Sequence, residues 1–91
     1  MEAEHADVWA ELRVLCAHIM AVPLESVLPD ARLVADLGAD SLDVNELQVA
    51  AEERFGVSLR GAEPAAVSTV GDVAALIIEQ RTRSVSGAVV R

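Results

Sequence analysis

The spacing of the apolar residues constrains the fold more than any other feature of this chain, because it follows the α-helical period in three separate segments. In residues 4–21 an apolar side chain recurs every three or four positions, at Val8, Leu12, Leu15 and Ile19. In residues 41–55 the matching stripe is Val44, Leu47, Ala51 and Phe55. In residues 69–81 the inward-facing residues are Val70, Val73, Leu76, Ile77 and Ile78. Each segment predicts an amphipathic helix with one buried face.

The residues at the ends of these segments favour the same helix bounds. Pro23 stops the first helix, because proline lacks an N–H group and restricts the residue before it. Gly56 follows Phe55 and is well placed as a helix C-cap in the left-handed conformation. Thr69 and Asp72 have the spacing of a capping box at the start of the last helix.

Residues 22–40 form a long connection, called the crossover below, that we expect to be ordered. Loops of this length are uncommon unless they are functional or disordered, and a disordered linker would be poorer in apolar residues. The crossover contains five that can pin it over the helices: Val27, Leu28, Leu33, Val34 and Leu37. We also expect a short helical turn within it, at residues 29–33.

A further short helix is predicted at residues 61–67, with Pro64 at or near its first position, where a missing N–H group is tolerated. The predicted fold is therefore an all-α four-helix bundle with a long first crossover loop and a short third helix. One domain spans residues 1–81. Residues 82–91 are expected to form a flexible C-terminal tail, since they are polar, small or isolated apolar residues and include Gly87.

The candidate functional residues cluster where the second helix begins. Gly38 can adopt a positive φ and so allows a sharp turn, and Asp40 can cap the helix through its carboxylate, with Asp43 in the first turn. Ser41 is then left near an exposed helix start, which carries a partial positive charge and unpaired N–H groups. A phosphate attached to Ser41 would meet a favourable field there, so this serine is suited to carrying a phosphodiester.

One face of the second helix is predicted to be acidic. At 100° per residue, its acids fall on a different face from the buried stripe, and Leu42 and Val49 lie beside them as exposed apolar residues. Such a face can dock on a basic groove, although acids on a helix are more often an ordinary solvated surface. The predicted partner face consists of Asp40, Leu42, Asp43, Glu46, Val49 and Glu53.

Charge and cysteine content argue against several classes of function. The net charge of −8 disfavours binding to nucleic acid or to an anionic membrane surface, both of which require basic patches. The single cysteine, Cys16, cannot form an intrachain disulfide, and we expect it to be a buried apolar residue in a reducing compartment. His5 and His18 have no second ligand at metal spacing, and no apolar run is long enough to span a membrane. We therefore expect no metal site, no membrane partner and a cytoplasmic location.

A longer pattern contains these residues. It is the run Asp-Leu-Gly-Ala-Asp-Ser-Leu-Asp at 36–43, followed by Glu-Leu at 46–47 and Glu-Glu-Arg-Phe-Gly-Val at 52–57. The pattern resembles the signature of acyl carrier proteins of the discrete, type II kind, and the resemblance covers about residues 4–80. It implies a carrier, not an enzyme, in which Ser41, flanked by Asp40 and Leu42, bears a covalent 4′-phosphopantetheine arm derived from coenzyme A. The thiol of that arm would hold acyl intermediates as thioesters for fatty-acid or polyketide biosynthesis.

The resemblance also implies the partners of this chain, which we expect to be a monomer. They are a phosphopantetheinyl transferase, acyl-loading enzymes, ketosynthases and other acyl-processing enzymes. The chain departs from the family pattern at Asn45 and Gln48, where apolar residues are more usual, and at Ala51, where a larger residue is usual. These departures concern the cargo pocket and not the arm.

Two other chemistries fit the sequence poorly. A serine hydrolase would need Gly-x-Ser-x-Gly, but Asp43 occupies the position of the second glycine and no histidine follows Ser41. A metal site made of Asp36, Asp40 and Asp43 lacks the loop spacing and turn glycine of an EF-hand.

Two binding functions are closer alternatives. An aminoacyl, peptidyl or D-alanyl carrier would share the arm and differ in cargo, but Gly38, Ala39 and Asp40 before the serine favour an acyl carrier. A non-modified helical interaction module could bind a basic partner through the same acidic face. That alternative gives no reason for a serine placed among glycine and aspartates.

Overall fold

The computed structural model describes residues 2–59 and 67–90, together with the side chains of 7–59 and 67–82. Within those ranges it contains three α-helices: α1 (Glu2–Met20), α2 (Ser41–Phe55) and α3 (Val70–Val90). A 3₁₀ turn at Leu24–Ser26 and an isolated antiparallel bridge between Arg32 and Thr69 lie outside the α-helices. The predicted all-α class is confirmed. The predicted short third helix falls largely on residues 60–66, which lie outside the described residues, so it stays a prediction.

α1 packs against both α2 and α3. Its buried face is centred on Val8, Leu12 and Cys16, which are spaced one turn apart. Leu15 and Ile19, predicted as members of the buried stripe, are half-buried and pack at the edge of the core. The buried face is therefore turned toward Cys16 relative to the predicted stripe, and the prediction that Cys16 is a buried apolar residue is confirmed.

α2 begins and ends at the predicted residues. Gly56 caps its C-terminus with φ 67°, and the Gly56 N–H donates to the Glu52 carbonyl oxygen at 2.9 Å. Leu47 and Ala51 are buried as predicted, but Val44 is at the surface. Val44 lies in the first turn, at the helix end that presents Ser41, whereas Leu47 and Ala51 lie one and two turns further along the helix.

The crossover is ordered and partly buried, as predicted. Val27, Leu33 and Leu37 belong to the core, but the prediction was wrong for Leu28 and Val34, which are exposed. The helical turn expected at residues 29–33 was also wrong, because the 3₁₀ turn lies earlier, at Leu24–Ser26.

The earlier position of this turn has a local and a tertiary cause. Pro23, with φ −63°, stands directly before the turn and has its backbone preset. The Arg13 guanidinium of α1 then donates to two carbonyl oxygens of the crossover, from Nη2 to Leu24 at 2.8 Å and from Nε to Val27 at 3.0 Å. These bonds fasten the turn to α1.

α3 starts at the predicted capping box. The Thr69 N–H donates to Asp72 Oδ2 and the Asp72 N–H donates to Thr69 Oγ1, both at 3.1 Å. Its buried residues are Val70, Val73, Ala74 and Ile77. The predicted end near residues 80–81 was wrong, since the helix continues to Val90. Beyond residue 81 the helix contains one glycine, Gly87, which costs only about 1 kcal/mol, and no proline follows to stop the helix. The division into a domain at 1–81 and a flexible tail at 82–91 stays a prediction.

As far as the structure describes them, none of the three α-helices is long and apolar enough to cross a membrane.

Candidate functional site

The loop before α2 is held in place by a backbone hydrogen bond and by two buried side chains. Leu37 and Ala39 are buried, and the Ala39 N–H donates to the Leu33 carbonyl oxygen at 2.9 Å. Gly38, between these two residues, has φ 75°. A side chain at Gly38 would meet no atom within 4 Å, so glycine is favoured there by its left-handed backbone and not by lack of space.

A reciprocal capping box fixes the start of α2. The Asp43 N–H donates to Asp40 Oδ1 at 2.8 Å, and the Asp40 N–H donates to Asp43 Oδ2 at 3.2 Å. The cap by Asp40 was predicted. The return bond to Asp43 was not, although the spacing of the two aspartates already has the capping-box form.

Ser41 is the first residue of α2 and is exposed. Among the described residues, no acceptor takes the N–H groups of Ser41 and Leu42, and no side chain bonds to the Ser41 hydroxyl. The helix start thus offers two free N–H donors and a partial positive charge beside an accessible hydroxyl.

The predicted partner face forms a surface strip along α2. Leu42 is 76% exposed and Val49 is 46% exposed, and Glu46 and Glu53 are also at the surface. At 100° per residue these four side chains fall within about 60° of one another, on the side of the helix opposite buried Ala51. Asp40 and Asp43 lie at the N-terminal end of the strip, with their carboxylates engaged in the capping box. The structure places these residues together, and their role in binding stays a prediction.

The three departures from the family pattern have different surroundings. Asn45 is exposed, Gln48 is half-buried and Ala51 is fully buried. Of these three positions, only Ala51 lies fully inside the bundle, where alanine fills less volume than the larger residue that is usual in the family pattern.

A cleft that could not be predicted from the sequence lies at the opposite end of α2 from Ser41. It has a volume of about 240 Å³ and is lined by Asp7, Glu11, Arg54, Phe55 and Arg81. Arg54 Nε and Glu11 Oε1 form an ion pair at 2.8 Å inside it. Because its lining comes from three helices and is mostly charged, the cleft does not suit an acyl chain.

The part of the chain that the structure describes groups no three His, Cys, Asp or Glu side chains in a way that could hold a metal ion. His18 is exposed on α1, and the side chain of His5 is outside the described residues.

Comparison with known proteins defines the family. A family model described as a phosphopantetheine attachment site matches residues 10–77. The "Acyl carrier protein" of Helicobacter pylori strain G27 is 39% identical over 71 residues, which cover 78% of this chain and 91% of that protein. The chain belongs to the acyl carrier protein family. The acyl carrier proteins of Helicobacter hepaticus and Campylobacter hominis are each 37% identical over 71 residues, which cover 93% and 90% of those proteins.

The family to which the chain belongs defines its cofactor and its functional class. It is a non-catalytic carrier whose cofactor is covalent 4′-phosphopantetheine, which supplies a thiol for thioester formation. The start of α2 fits such a group, because it combines the exposed Ser41 hydroxyl with free N–H donors that favour a phosphate.

Proposed function

We propose that Ser41 is the residue that carries the 4′-phosphopantetheine arm. The observation that supports this most strongly is the position of Ser41 as the first residue of α2, exposed and next to the N–H groups of an open helix end. A phosphodiester at this position gains about 0.3–1 kcal/mol from the helix dipole. The nearby carboxylates of Asp40 and Asp43 offset part of that gain, although each already accepts a backbone hydrogen bond.

The chain itself supplies the nucleophile and its placement. Ser41 Oγ attacks the β-phosphorus of coenzyme A while bound to a phosphopantetheinyl transferase, and the adenosine 3′,5′-bisphosphate portion departs. The transferase provides the base that takes the serine proton, since no described side chain is bonded to this hydroxyl. Asp40 and Leu42, the neighbours of Ser41, are both exposed and stand where the transferase must make contact.

The carried groups are acyl intermediates, held as thioesters for fatty-acid or polyketide biosynthesis. Relatives named as acyl carrier proteins support acyl cargo over an aminoacyl or peptidyl one. We place the carrier in the cytoplasm, and its one cysteine, a buried free thiol, is compatible with a reducing compartment.

The strip on α2 is the proposed surface for partner enzymes: the transferase, acyl-loading enzymes, ketosynthases and other acyl-processing enzymes. Exposed ion pairs contribute about 0.2–1 kcal/mol each, so Asp40, Glu46 and Glu53 together give weak, salt-sensitive binding to a basic groove. Leu42 and Val49 add apolar contact area at the same surface. A carrier that visits many enzymes in turn requires contacts that are weak and readily broken.

The first experiment tests the attachment residue. Incubation with a phosphopantetheinyl transferase and coenzyme A should add the mass of one arm, and peptide mapping should locate it on Ser41. Ser41→Ala should stay unmodified with the helical circular dichroism of the wild type. Ser58→Ala, which removes another exposed serine, is the matched control and should be modified normally. An arm on Ser26, Ser58 or Ser68 would overturn the assignment of Ser41, whereas no modification by any transferase tried would favour a non-modified binding module.

The second experiment tests the partner strip. Glu46→Lys reverses one charge in the middle of the strip and should slow acyl transfer to partner enzymes and weaken its salt dependence. Glu25→Lys makes the same charge reversal on the exposed 3₁₀ turn and serves as the control. Equal kinetics for the two variants at low salt would remove the strip from the proposal.

A further inference from the structure

The start of α3 is tied to the crossover by backbone hydrogen bonds. The Leu33 N–H donates to the Ser68 carbonyl oxygen at 2.9 Å. In the other direction, the Val70 N–H donates to the Ala31 carbonyl oxygen at 3.0 Å, and the Gly71 N–H donates to that of Pro29 at 2.8 Å. These bonds join segments that are far apart in the sequence. They fix the position of the crossover relative to α3.

Asp72 organises the segment that accepts the first of these bonds. Its Oδ2 accepts from the Ser68 N–H at 3.0 Å, the Thr69 N–H at 3.1 Å and the Ser68 hydroxyl at 3.3 Å. The backbone N–H groups of Ser68 and Thr69 hold the pKa of the Asp72 carboxyl below its ordinary value. The carboxylate therefore keeps Ser68 and Thr69 in the conformation that presents the Ser68 carbonyl oxygen to Leu33.

Leu33 continues the connection toward the attachment loop. Its carbonyl oxygen accepts from the Ala39 N–H at 2.9 Å, and both residues are buried. A hydrogen bond between buried groups is shielded from water and costly to break. Ala39 stands two residues before Ser41 and next to the N-cap, Asp40. A continuous series of hydrogen bonds thus runs from Asp72 to the loop that presents Ser41.

We propose that Asp72 is a positioning residue for Ser41. Through this series of bonds it holds the attachment loop in the conformation that a phosphopantetheinyl transferase binds, so the inference rests on the proposed function of Ser41. If the loop adopts this conformation only part of the time, the apparent affinity of the transferase for the carrier falls by the same fraction. The chemical step within the transferase is unaffected, so the effect falls on KM and not on kcat.

Asp72→Asn tests the inference in the full chain. The substitution removes the charge that accepts the bonds from Ser68 and Thr69. We expect KM for the carrier to rise, with kcat unchanged, and the upper limit of the rise is roughly three- to tenfold, the factor that corresponds to loss of about one hydrogen bond. Asp72→Glu keeps an acid of the capping-box type and should restore most of the affinity.

Asp30→Asn is the matched control. It makes the same charge change on an exposed residue of the crossover that has no hydrogen-bond or ion-pair partner among the described residues. Asparagine is well tolerated in the turn that contains this position, so KM should stay at the wild-type value.

Amide hydrogen exchange provides the readout that a general loss of stability would not reproduce. In Asp72→Asn the amides of Leu33 and Ala39 should exchange faster by a similar factor, while those of Leu12 and Cys16 in α1 stay unchanged. A rise in KM without faster exchange at Ala39 would overturn the inference, because Asp72 would then act by touching the transferase.

The remaining outcomes separate the inference from the proposed function. Wild-type KM in Asp72→Asn, with the wild-type chain modified on Ser41, would overturn the inference and leave the proposed function intact. A wild-type chain that accepts no arm would overturn both.

Discussion

Gly71 is the position at which one added methyl group tests the attachment of the crossover to α3. A Cβ placed on Gly71 would stand 2.8 Å from the carbonyl oxygen of Pro29 and 3.5 Å from its carbonyl carbon. The Gly71 N–H donates to the same oxygen at 2.8 Å. Because the clash is with backbone atoms and not with a flexible side chain, Gly71→Ala can be accommodated only if the crossover moves away from α3.

Three contributions determine the sign of the effect. Alanine is favoured over glycine in a helix interior by about 0.8–1.0 kcal/mol, and by less in a first turn. Overpacking costs about 1–3 kcal/mol, and weakening the hydrogen bond to Pro29 costs roughly 0.5–1.5 kcal/mol. The steric cost and the lost bond exceed the helix preference, so we expect Gly71→Ala to lower the free energy of unfolding by about 1–3 kcal/mol. The melting temperature should fall by roughly 5–20 °C for a domain of this size.

Urea unfolding followed by circular dichroism at 222 nm measures this change. Ala75→Gly is the matched control, because Ala75 is exposed on the same helix and its substitution reports helix preference alone. A Gly71→Ala chain at least as stable as the wild type would refute the reasoning. It would show that the crossover is not held against α3 at Pro29.

Three further predictions concern single side chains. Burial raises the pKa of the Cys16 thiol to about 11, so iodoacetamide should label Cys16 at neutral pH only after urea unfolding, and rapid labelling of the folded chain would contradict its burial. Arg13→Lys should lower the free energy of unfolding by roughly 1–2 kcal/mol in urea titrations, because one ammonium group cannot donate to the carbonyl oxygens of both Leu24 and Val27 as the guanidinium does. An unchanged unfolding midpoint would mean that these two bonds do not contribute to stability. Asp72→Asn should be less stable than the wild type at neutral pH. This difference should shrink as the pH falls below about 3.9 and through the lowered folded-state pKa of Asp72, because the wild-type carboxylate then becomes protonated. A difference that does not change with pH would contradict a role for the charge of Asp72.

The start of α2 could be predicted because its determinants are local. Asp40, Asp43 and Gly38 act within six residues of one another, so propensity and spacing alone indicate the cap and the turn. The exposure of Leu42 and Val49 follows in the same way from the helical period. Helix bounds that depend on a cap or a proline were predicted well. The end of α3, which has neither signal, was not.

The course of the crossover could not be predicted, because residues far away in the sequence determine it. Arg13 fixes the 3₁₀ turn, and residues 68–71 supply the partners of Pro29, Ala31 and Leu33. Apolar content correctly indicated that the crossover is ordered, but it does not say which side chain points inward. Leu28 and Val34 are as apolar as their buried neighbours and are nevertheless exposed. The cleft beside Arg54 has the same kind of origin, since its walls come from three helices.

Ser41 thus depends on two supports of different range. The capping box is completed within four residues, so it would form in any chain that keeps Asp40 and Asp43 at the start of a helix. The placement of the preceding loop depends on Leu33 and, through it, on the start of α3. Moving residues 36–43 alone onto another helix should therefore preserve the cap but lose the placement of the loop. A graft of this kind that is modified with the wild-type KM would show that the cap alone presents the serine.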